Sequence, residues 1–442
     1  MKILPSLYKD YGQYLNSFRA FPNINDGLRP GERRILYSAN LVAKKFVKSA
    51  KIIGTAVVFH PHGDSSIYST MTKLVNCGLL NGQGNWGDSS SLEELPPAAF
   101  RYTEARIDPF YSNLVFSNIQ YVPWVINELE KEPEYLSTPI PLCFVLDKVN
   151  IGIGLGWRTS IPKYKVSDIF KLIDGMLNNK KIIIHPYCPG NEIIKDKNFE
   201  TECENILTKG EGKITFRPKI NIDKNQRIIS IKSVPLNGFN QLLSGLNSYF
   251  DKNTISILDN TTNGKTSIDI SVIKNKKCDF NKLVKDVYKC VTHSVTYKII
   301  LCDSEGNLFP MGVIEAIKNV YQNYKKSLTK KYTEEIAEYQ KQKRKLEIIK
   351  LIRNDIGYLL SNKIYDIDKV IEYIISKHNE LSKESLYDIF SKYTLNKLFN
   401  LDTNLDKIIS EINIRDQYLN NMHNHLKNIY KEMWEKSKAI KE

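Results

Sequence analysis

One long helical pattern in the last third of the chain constrains the fold more than any other feature of this sequence. From Met311 onward the residues are nearly free of glycine and rich in Lys, Glu, Leu and Ile, and the stretch 312–360 is too long for an average globular helix. The C-terminal segment repeats apolar residues on alternating steps of three and four, with Arg415 in the one gap: Leu405, Ile408, Ile412, Leu419, Met422, Leu426, Ile429 and Met433. This spacing is typical of a coiled coil.

We therefore predict an antiparallel coiled-coil arm, with 311–355 as its first helix and 405–442 as its return helix. Shorter helical patterns between them, at 356–404, predict a small helical tip. The motif YDIDK, residues 365–369, opens one of these helices, so its carboxylates are predicted to cap that helix rather than bind a metal. An inert helical bundle is the alternative for this whole region.

The rest of the chain predicts two further domains and a multidomain α+β protein. Residues 1–120 contain short helices separated by turns; AKIIGTAVVF and GDSSIYSTMTKLVN flank the sequence HPHGD, and Asp64 or Ser65 is able to cap the second helix. This spacing is compatible with a helix-turn-helix, whose second helix can enter a major groove. Residues 121–310 alternate strand patterns such as GKITFRPKINI with helical ones such as NKLVKDVYKCV, which predicts a mixed α+β domain.

The charge balance narrows the class of partner. Lys and Arg together number 63 against 49 for Asp and Glu, a formal net charge of +14, so the summed field would attract a polyanion. Nucleic acid is the first candidate, and a solvated basic surface without a partner is the alternative.

The seven cysteines are scattered without a CxxC pair, which favours free thiols in a reducing cytoplasm over zinc ligands or disulfides. Neither a signal peptide nor an uncharged run of about 18 apolar residues is present, so neither export nor membrane insertion is predicted.

The stretch AAFRYTEAR, residues 98–106, contains the strongest candidate nucleophile, Tyr102. A tyrosine that attacks a phosphodiester must lose a phenolic proton and needs cations around the phosphorane that forms. Arg101 is adjacent, and several more basic side chains belong to the same predicted DNA-binding unit: Arg33, Arg34, His60 and His62. With 25 tyrosines in the chain, a structural role for Tyr102 is the alternative.

Five collinear motifs resemble those of a known family, the breakage-reunion (A-type) subunits of type IIA DNA topoisomerases, as in gyrase and topoisomerase IV. In chain order they are FRAFPNINDGLRPGERRILYS, VVFHPHGDSSIY, LLNGQGNWGD, AAFRYTEAR and GIGLGWRTSIP. Weaker matches continue through YCPG and GEGKITFRPKINI to the long helix, so the resemblance covers nearly the whole chain. It implies a winged-helix form for the first domain, a tower-like second domain and a dimerisation role for the helical tip. The length most resembles the medium subunits of T-even-like phage enzymes; the alternative is a compact A-type subunit from a bacterium or an organelle.

The resemblance also implies roles for individual residues. Tyr102 matches the nucleophile that forms a 5′-phosphotyrosyl link, Arg101 matches the cation beside the scissile phosphate, and Arg19 matches another catalytic arginine. His62 matches a histidine that contacts the same phosphate, whereas His60 lies in the same DNA-binding segment and is assigned to shape its turn. A two-histidine metal site at HPH is the alternative, although the sequence offers no third ligand.

Further residues are candidate DNA contacts besides His60 and the catalytic set. Arg29, Arg33 and Arg34 suit phosphates, with ordinary solvated arginines as the alternative. Ile153 matches an isoleucine that wedges between bases and bends DNA, with a core role as the alternative. Ser65, and Ser69 one turn later, match positions where quinolone sensitivity is set in bacterial relatives; helix capping is the simpler role for Ser65.

The resemblance implies a heteromeric enzyme. The chain shows no P-loop and no convincing acidic metal cluster, so Mg²⁺ and ATP are both expected on a separate ATPase and metal-binding topoisomerase subunit. Double-stranded DNA and a second copy of this chain are the other expected partners, in the cytoplasm of a bacterial or phage-infected cell and associated with its nucleoid. Because the chain stops soon after the coiled coil, relaxation and decatenation are expected rather than active supercoiling.

The sequence leaves three competing interpretations of the protein's function. The first is a non-catalytic DNA-bending or scaffolding protein that keeps the fold. The second is a tyrosine recombinase or type IB enzyme, although those place the tyrosine near the chain end whereas Tyr102 lies in the first quarter. The third is a purely architectural coiled-coil protein built on 311–442.

Overall fold

The computed structural model describes residues 3–127, 130–262, 264–401 and 405–440. These residues form two compact units. The first unit comprises 1–327 together with 427–442, and the second comprises 328–426. Mixed helix and strand structure confirms the predicted α+β class.

The N-terminal part of the first unit is a cluster of helices with a small antiparallel sheet. Its helices are α1 (Ile3–Leu15), α2 (Pro30–Val42), α3 (Ser49–Phe59), α4 (Asp64–Asn76) and α5 (Pro109–Phe116), with a π-helical turn at Asn16–Ala20. Its strands are β1 (Val47–Lys48), β2 (Leu80–Gln83) and β3 (Glu104–Ile107), in the spatial order β1-β3-β2. Fully buried Ile35, Ile52 and Met71, one each from α2, α3 and α4, lie in the core of this cluster.

Local sequence explains how α2 begins, and the structure corrects the predicted cap of α4. Pro30 occupies the first turn of α2, and the Glu32 carboxylate accepts the Arg29 backbone N–H at 2.8 Å. The predicted helices around HPHGD are confirmed as α3 and α4. The predicted cap of α4 is wrong, because the N-cap is Gly63 and the Asp64 carboxylate accepts the neighbouring Ser65 N–H at 2.7 Å. Ser65 is therefore not a capping residue.

The second part of the first unit is built on two larger antiparallel sheets. A hairpin of β4 (Trp124–Asn127) and β5 (Glu130–Pro133) precedes them. A five-stranded sheet in the order β6-β7-β14-β9-β8 combines β6 (Val149–Ile153), β7 (Arg158–Pro162), β8 (Asn191–Ile193), β9 (Glu211–Pro218) and β14 (His293–Lys298). Helices α6 (Val166–Leu177) and α7 (Phe199–Lys209) belong to the same region, as do short 3₁₀ turns at Ile119–Tyr121 and Leu142–Phe144.

A four-stranded sheet in the order β10-β11-β13-β12 has its own hydrophobic core. Its strands are β10 (Ile220–Asp223), β11 (Ile228–Ile231), β12 (Ile255–Asp259) and β13 (Ile268–Val272). Helices α8 (Asn240–Gly245), α9 (Asn247–Asp251) and α10 (Phe280–Val291) accompany it, and Ile270, Leu242 and Leu283 are fully buried in the shared core. A last pair, β15 (Ile300–Cys302) and β16 (Leu308–Pro310), leads into the long helix.

Helices make up the described part of the second unit. Helix α11 (Val313–Ser361) runs for 49 residues and belongs to this unit from residue 328 onward. The long helix is confirmed, although it ends at Ser361 and not at the predicted residue 355. Helices α12 (Ile367–Lys377), α13 (Lys383–Phe390) and α14 (Leu395–Phe399) lie in the segment for which a helical tip was predicted, and their region has a core with buried Ile356, Ile371 and Leu398. The Asp366 carboxylate accepts N–H groups of the first turn of α12 at 3.1 Å, so the capping role predicted for YDIDK is confirmed.

The return segment differs from the single helix that was predicted. It consists of α15 (Asp406–Asn420) and α16 (Met422–Ser437), separated at Asn421, whose φ of −125° and ψ of 45° are not helical. Every residue of the predicted apolar stripe is at least partly buried, so the stripe itself was correctly predicted. Arg415 fills its gap by pairing with Glu335 of α11 and Glu411 of its own helix, each at 2.5 Å.

Candidate functional site

Tyr102 lies in a short loop, 98–103, that hydrogen bonds from α3 and α4 hold in place. The Tyr68 hydroxyl donates to the Ala98 carbonyl at 2.6 Å and lies 3.1 Å from Thr103 Oγ1. The Ser49 backbone N–H donates to the Thr103 carbonyl at 3.0 Å, and the two hydroxyls of Ser49 and Thr103 are 2.8 Å apart. The loop immediately precedes β3, so the tyrosine is presented by a fixed stretch of backbone.

The Tyr102 side chain points into solvent beside a cation. It is 65% exposed, and the guanidinium carbon of Arg101 lies 4.9 Å from the centre of its ring. Hydrogen bonding and charge from Arg101 lower the pKa of the Tyr102 phenol, which increases the fraction available as phenolate. An exposed phenol beside a guanidinium is chemically suited to attack an anionic phosphoester and to stabilise the charge that develops on it.

His60 and His62 have different surroundings. The Arg34 guanidinium lies 2.9 Å from His60 Nδ1, and burial together with the charges of Arg34 and His62 lowers the pKa of His60 to about 4. His62 is exposed, and its ring centre lies 4.2 Å from that of His60. The backbone N–H of His62 donates to the His60 carbonyl at 2.7 Å. His60 therefore supports the turn, whereas the exposed His62 ring is accessible to a ligand.

Arg33 and Arg34 have protein partners, which corrects their predicted role as phosphate contacts. Arg33 forms a two-point ion pair with Asp26, at 2.7 and 3.1 Å, and Asp26 is fully buried. Arg34 forms a two-point ion pair with Glu132 of β5, at 2.8 and 2.7 Å, and is also buried. A phosphate would have to displace a buried carboxylate in either case, so both arginines are structural.

Arg29 also makes contacts within the protein rather than pointing into solvent. Its side chain donates to the carbonyls of Ala20 at 3.2 Å and Ile151 at 3.0 Å, and it pairs with Glu32 at 2.9 Å. It thereby joins the start of α2 to two other segments, the π-helical turn at Asn16–Ala20 and strand β6. This arrangement assigns Arg29 a positioning role, since the two segments carry Arg19 and Ile153.

Arg19 and Ile153 are both exposed, and glycines allow their two segments to approach closely. A Cβ atom at Gly152 would lie 2.0 Å from the Ala20 carbonyl oxygen, and one at Gly154 would lie 2.5 Å from Asn16 Oδ1. Ile153, between these glycines, is 74% exposed, so the alternative of a core isoleucine is wrong. It belongs to an apolar exposed group on β6 and the turn after it: Ile151, Ile153, Leu155 and Trp157.

The structure brings together some of the predicted site residues and not others. Arg101 contacts Tyr102, His60 contacts His62 and Arg34, and Arg29 contacts the strand of Ile153. Within the described ranges, no hydrogen bond, ion pair or ring contact joins Tyr102 to His62 or Arg19. Ser65 is exposed on the first turn of α4, and Ser69 is exposed one turn later.

Sequence reasoning did not single out Tyr68 and Thr103, which hold the Tyr102 loop, or Asp26 and Glu132, which neutralise the two arginines. A signal for Tyr68 existed, because a tyrosine on the buried face of α4 needs a partner for its hydroxyl. No local pattern pointed to Glu132, which lies 98 residues from Arg34.

Metal-ligating side chains do not cluster in the part of the chain that the structure describes. Across 3–127, 130–262, 264–401 and 405–440, no three or more His, Cys, Asp and Glu side chains come together as a metal site. At HPH, one nitrogen of His60 already faces the Arg34 guanidinium, which opposes a second cation there. All seven cysteines are free thiols, and no described helix is both long and apolar enough to cross a membrane.

Known proteins match this chain over most of its length. The family described as the A subunit of DNA gyrase/topoisomerase IV matches residues 19–440. The A subunit of DNA topoisomerase 4 from Bacillus subtilis (strain 168) is 26% identical, over all of this chain and 57% of the relative. The A subunit of DNA gyrase from Helicobacter pylori (strain J99) is 27% identical, over 93% of this chain and 51% of the relative.

A shorter match has a higher identity. The A subunit of DNA topoisomerase 4 from Streptococcus pyogenes serotype M3 is 32% identical over 243 residues, which cover 50% of this chain and 29% of the relative. The chain thus spans about half the length of the curated relatives that it matches over most of its residues. The resemblance seen in the five motifs is confirmed, and the chain belongs to the family of DNA gyrase and topoisomerase IV A subunits.

Proposed function

We propose that this chain is the DNA-cleaving and religating subunit of an ATP-dependent type IIA topoisomerase. Two copies would cut opposite strands, each through Tyr102, and pass another duplex through the transient break, which relaxes or decatenates DNA. The observation that carries the proposal is the exposed Tyr102 phenol beside Arg101, on a loop held by α3 and α4. Family membership supports the same assignment.

The arrangement of helices and strands supports a DNA-binding role for the first 120 residues. From α2 to β3 the order is helix, strand, helix, helix, strand, strand, which is the order of a winged helix, with α4 as the helix that enters the major groove. Exposed Ser65 and Ser69 lie on the first turns of α4, and exposed His62 comes just before it. Arg19, also exposed, would supply a further cation at the phosphate. The sheets at 121–310 would form the tower-like domain.

The proposed chemistry is a reversible transesterification. The Tyr102 oxygen loses its proton to solvent and attacks the phosphorus. The bond from phosphorus to the 3′ oxygen breaks, and the 3′ oxygen takes up a proton from solvent and leaves as a hydroxyl. The phosphoester bond is kept as a 5′-phosphotyrosyl link, so resealing by the reverse attack needs no external energy. Arg101 lowers the pKa of the attacking phenol, which favours its deprotonation.

Ile153 would act on the shape of the DNA. Its side chain projects from the end of β6, and inserting such a side chain between two base pairs costs a few kcal/mol of unstacking and stabilises a bend. Arg29 holds the backbone of the same strand through the Ile151 carbonyl, so the wedge would be supported by the start of α2. The expected result is a DNA segment bent towards basic surface.

Mg²⁺ and ATP would be supplied by a separate protein that carries the ATPase and the metal site. The described carboxylates and histidines do not form a metal site, so no step of the chemistry is assigned to a metal on this chain. The other proposed protein partner is a second copy of the chain, with the tip formed by α12, α13 and α14 as its contact. The complex would act on the nucleoid in the cytoplasm.

A cleavage-trapping assay tests the proposal. The chain with its co-purified partner is incubated with supercoiled DNA and Mg²⁺, then denatured and digested with protease. We expect double-strand breaks with protein on both 5′ ends for the wild type and for Tyr11→Phe, a control that alters another exposed tyrosine, and none for Tyr102→Phe. Covalent adducts in Tyr102→Phe would refute the nucleophile. Tight binding to unbroken plasmid by the wild type would favour a non-catalytic DNA-bending protein instead.

A further inference from the structure

The segment between β2 and the Tyr102 loop forms a closed excursion that ends close to the tyrosine. Asp88 and Leu95 pair through two backbone hydrogen bonds, at 3.0 and 2.8 Å, which close a loop over 88–95. Pro96 and Pro97 follow, and the next residue, Ala98, begins the Tyr102 loop. Because both prolines have fixed φ angles, little freedom separates this closed loop from the nucleophile.

Leu92, at the far end of the closed loop, reaches the four-stranded sheet. Its backbone N–H donates to Asp259 Oδ2 at 2.9 Å, and its side chain packs against the hydrophobic core that β11, β12, β13, α8 and α10 share. The other oxygen of the same carboxylate accepts the Thr261 N–H at 2.9 Å, so Asp259 is held in its orientation by its own turn. The loop is thus attached to β12 by one charged hydrogen bond and one apolar contact.

The 88–95 loop borders a cleft of about 910 Å³, which Leu146, Val149 and Leu236 also line. Where a loop borders open space, contacts at its end contribute to holding it in position.

We propose that Leu92 and Asp259 form a latch that positions Tyr102 for attack by attaching the 88–95 loop to the four-stranded sheet. Neither residue touches DNA in this proposal, so both are positioning residues and not catalytic ones. The latch rests on the proposed function, because its effect is on the covalent chemistry of Tyr102.

Two variants break the latch from opposite sides, and two others serve as controls. Leu92→Ala removes the apolar contact, and Asp259→Ala removes the acceptor. Leu92→Met keeps nearly the same side-chain volume and should therefore keep the wild-type covalent fraction. Asp223→Ala is the matched control: Asp223 also accepts two backbone N–H groups in a turn of the same sheet, and no hydrogen bond in the described part of the chain joins it to the 88–95 loop.

Each variant is measured in three ways. Salt-dependent DNA binding of the full chain reports affinity, trapping with the co-purified partner, plasmid and Mg²⁺ reports the covalent fraction, and hydrogen exchange of the full chain reports the order of 98–103. We expect both variants to keep DNA affinity within about twofold. Asp259→Ala should lower the covalent fraction by about tenfold or more, as loss of a hydrogen bond to a charged group implies. Leu92→Ala keeps the backbone N–H and should lower the covalent fraction by about fivefold through the lost apolar contact. Exchange at 98–103 should rise in both, and their effects should not add in the double variant.

Leu92→Met and Asp223→Ala should match the wild type in affinity, covalent fraction and exchange at 98–103. The latch is wrong if Leu92→Ala and Asp259→Ala also match Asp223→Ala in both covalent fraction and exchange. It is also wrong if DNA affinity falls as far as the covalent fraction does. If the wild type forms no covalent complex, the proposed function fails, while exchange at 98–103 still decides whether the latch orders the loop.

Discussion

Arg34 Nη1 lies 2.9 Å from His60 Nδ1, in a hydrogen bond that fixes the protonation state of the histidine. A guanidinium only donates, so Nδ1 must accept, and the ring is neutral with its proton on Nε2. Arg34 Nε and Nη2 donate to the two carboxylate oxygens of Glu132, so the guanidinium is held between Glu132 and His60. A proton added to His60 would place a second cation directly against Arg34.

Stability should therefore fall as the pH drops through the range in which only the unfolded chain takes up this proton. Burial, then the charges of Arg34 and His62, lower the folded-state pKa of His60 to about 4, against 6.5 for a free histidine. Between these two pKa values the unfolded chain binds more protons than the folded chain. The contribution of neutral His60 to the free energy of unfolding is therefore fully present above the higher value and is lost as the pH falls towards the lower one. For this half-exposed ring we expect a loss of about 1 kcal/mol between about pH 7 and pH 5, after allowing for solvent screening.

Urea denaturation at the two pH values, for the wild type and His60→Gln, measures this effect. The difference between the two proteins isolates His60 from the other groups that titrate. We expect the variant to be less sensitive to pH than the wild type. Equal pH dependence in the two proteins would show that His60 does not carry the effect.

The buried pair of Arg33 and Asp26 should matter for stability and not for DNA binding. Asp26 is fully buried and also accepts the N–H groups of Leu28 at 2.9 Å and Leu136 at 3.0 Å, so it joins the start of α2 to a segment 110 residues away. Arg33→Ala would leave this carboxylate without its cation, and we expect a loss of about 3–5 kcal/mol in the free energy of unfolding. Denaturant titration measures it.

The dependence of DNA affinity on salt distinguishes this role from a phosphate contact. Losing one phosphate contact reduces the slope of log K against log salt by about 1, whereas losing a buried pair leaves the slope unchanged. The double variant Arg33→Ala with Asp26→Ala should be less destabilised than the sum of the two single variants, because neither charge is left unpaired. A stable Arg33→Ala protein with a reduced salt slope would restore the phosphate-contact prediction.

Local patterns predicted those features whose causes are local. The α11 helix and the apolar stripe follow from periodicity, α3 and α4 follow from the turn at HPHGD, and the cap of α12 follows from Asp366 placed just before it. The candidate nucleophile also came from neighbouring residues, since Arg101 adjoins Tyr102 in the chain. The break at Asn421 was missed, because the three-four spacing continues across it without interruption.

The burial of charged residues was not predictable in this way. Arg33 and Arg34 are adjacent on one helix. When only the helix is considered, adjacent arginines indicate contact with solvent or with phosphates. Their roles depend on Asp26, seven residues away, and Glu132, 98 residues away, and only the folded chain brings these carboxylates to them. The contact of Leu92 with Asp259, 167 residues apart, is another such case.

Ile153 should affect DNA bending without affecting stability. At 74% exposed it contributes little to the core, so Ile153→Ala should change the free energy of unfolding by no more than about 0.5 kcal/mol. If it wedges between bases, the same variant should lower the bend angle and weaken binding, since about 1–3 kcal/mol of the bend's stabilisation is lost. Fluorescence energy transfer between the ends of a short duplex measures the angle.

Ile126→Ala is the matched control for the wedge. Ile126 is 78% exposed on β4 and has no predicted contact with DNA, so its removal tests for a general effect of losing surface apolar area. We expect a normal bend in this variant. Equal bend angles in Ile153→Ala and the wild type would remove the wedge assignment, and a large loss of stability in Ile153→Ala would show that the side chain is needed for folding.

Tyr68→Phe should disturb the Tyr102 loop while leaving its surroundings packed. The ring of Tyr68 lies 5.6 Å from that of Trp86 and 5.9 Å from that of Phe100, and phenylalanine keeps these contacts. The lost hydroxyl leaves the Ala98 carbonyl and Thr103 Oγ1 without one partner each, at a cost of about 1–2 kcal/mol to the ordered loop. We expect a several-fold lower covalent fraction with unchanged DNA affinity, measured by trapping and by binding at several salt concentrations.

Tyr249→Phe is the control, because it loses a hydroxyl bond of 2.6 Å to Asp286 in a different part of the first unit. If both variants trap equal amounts of DNA, the Tyr68 hydroxyl does not position the nucleophile.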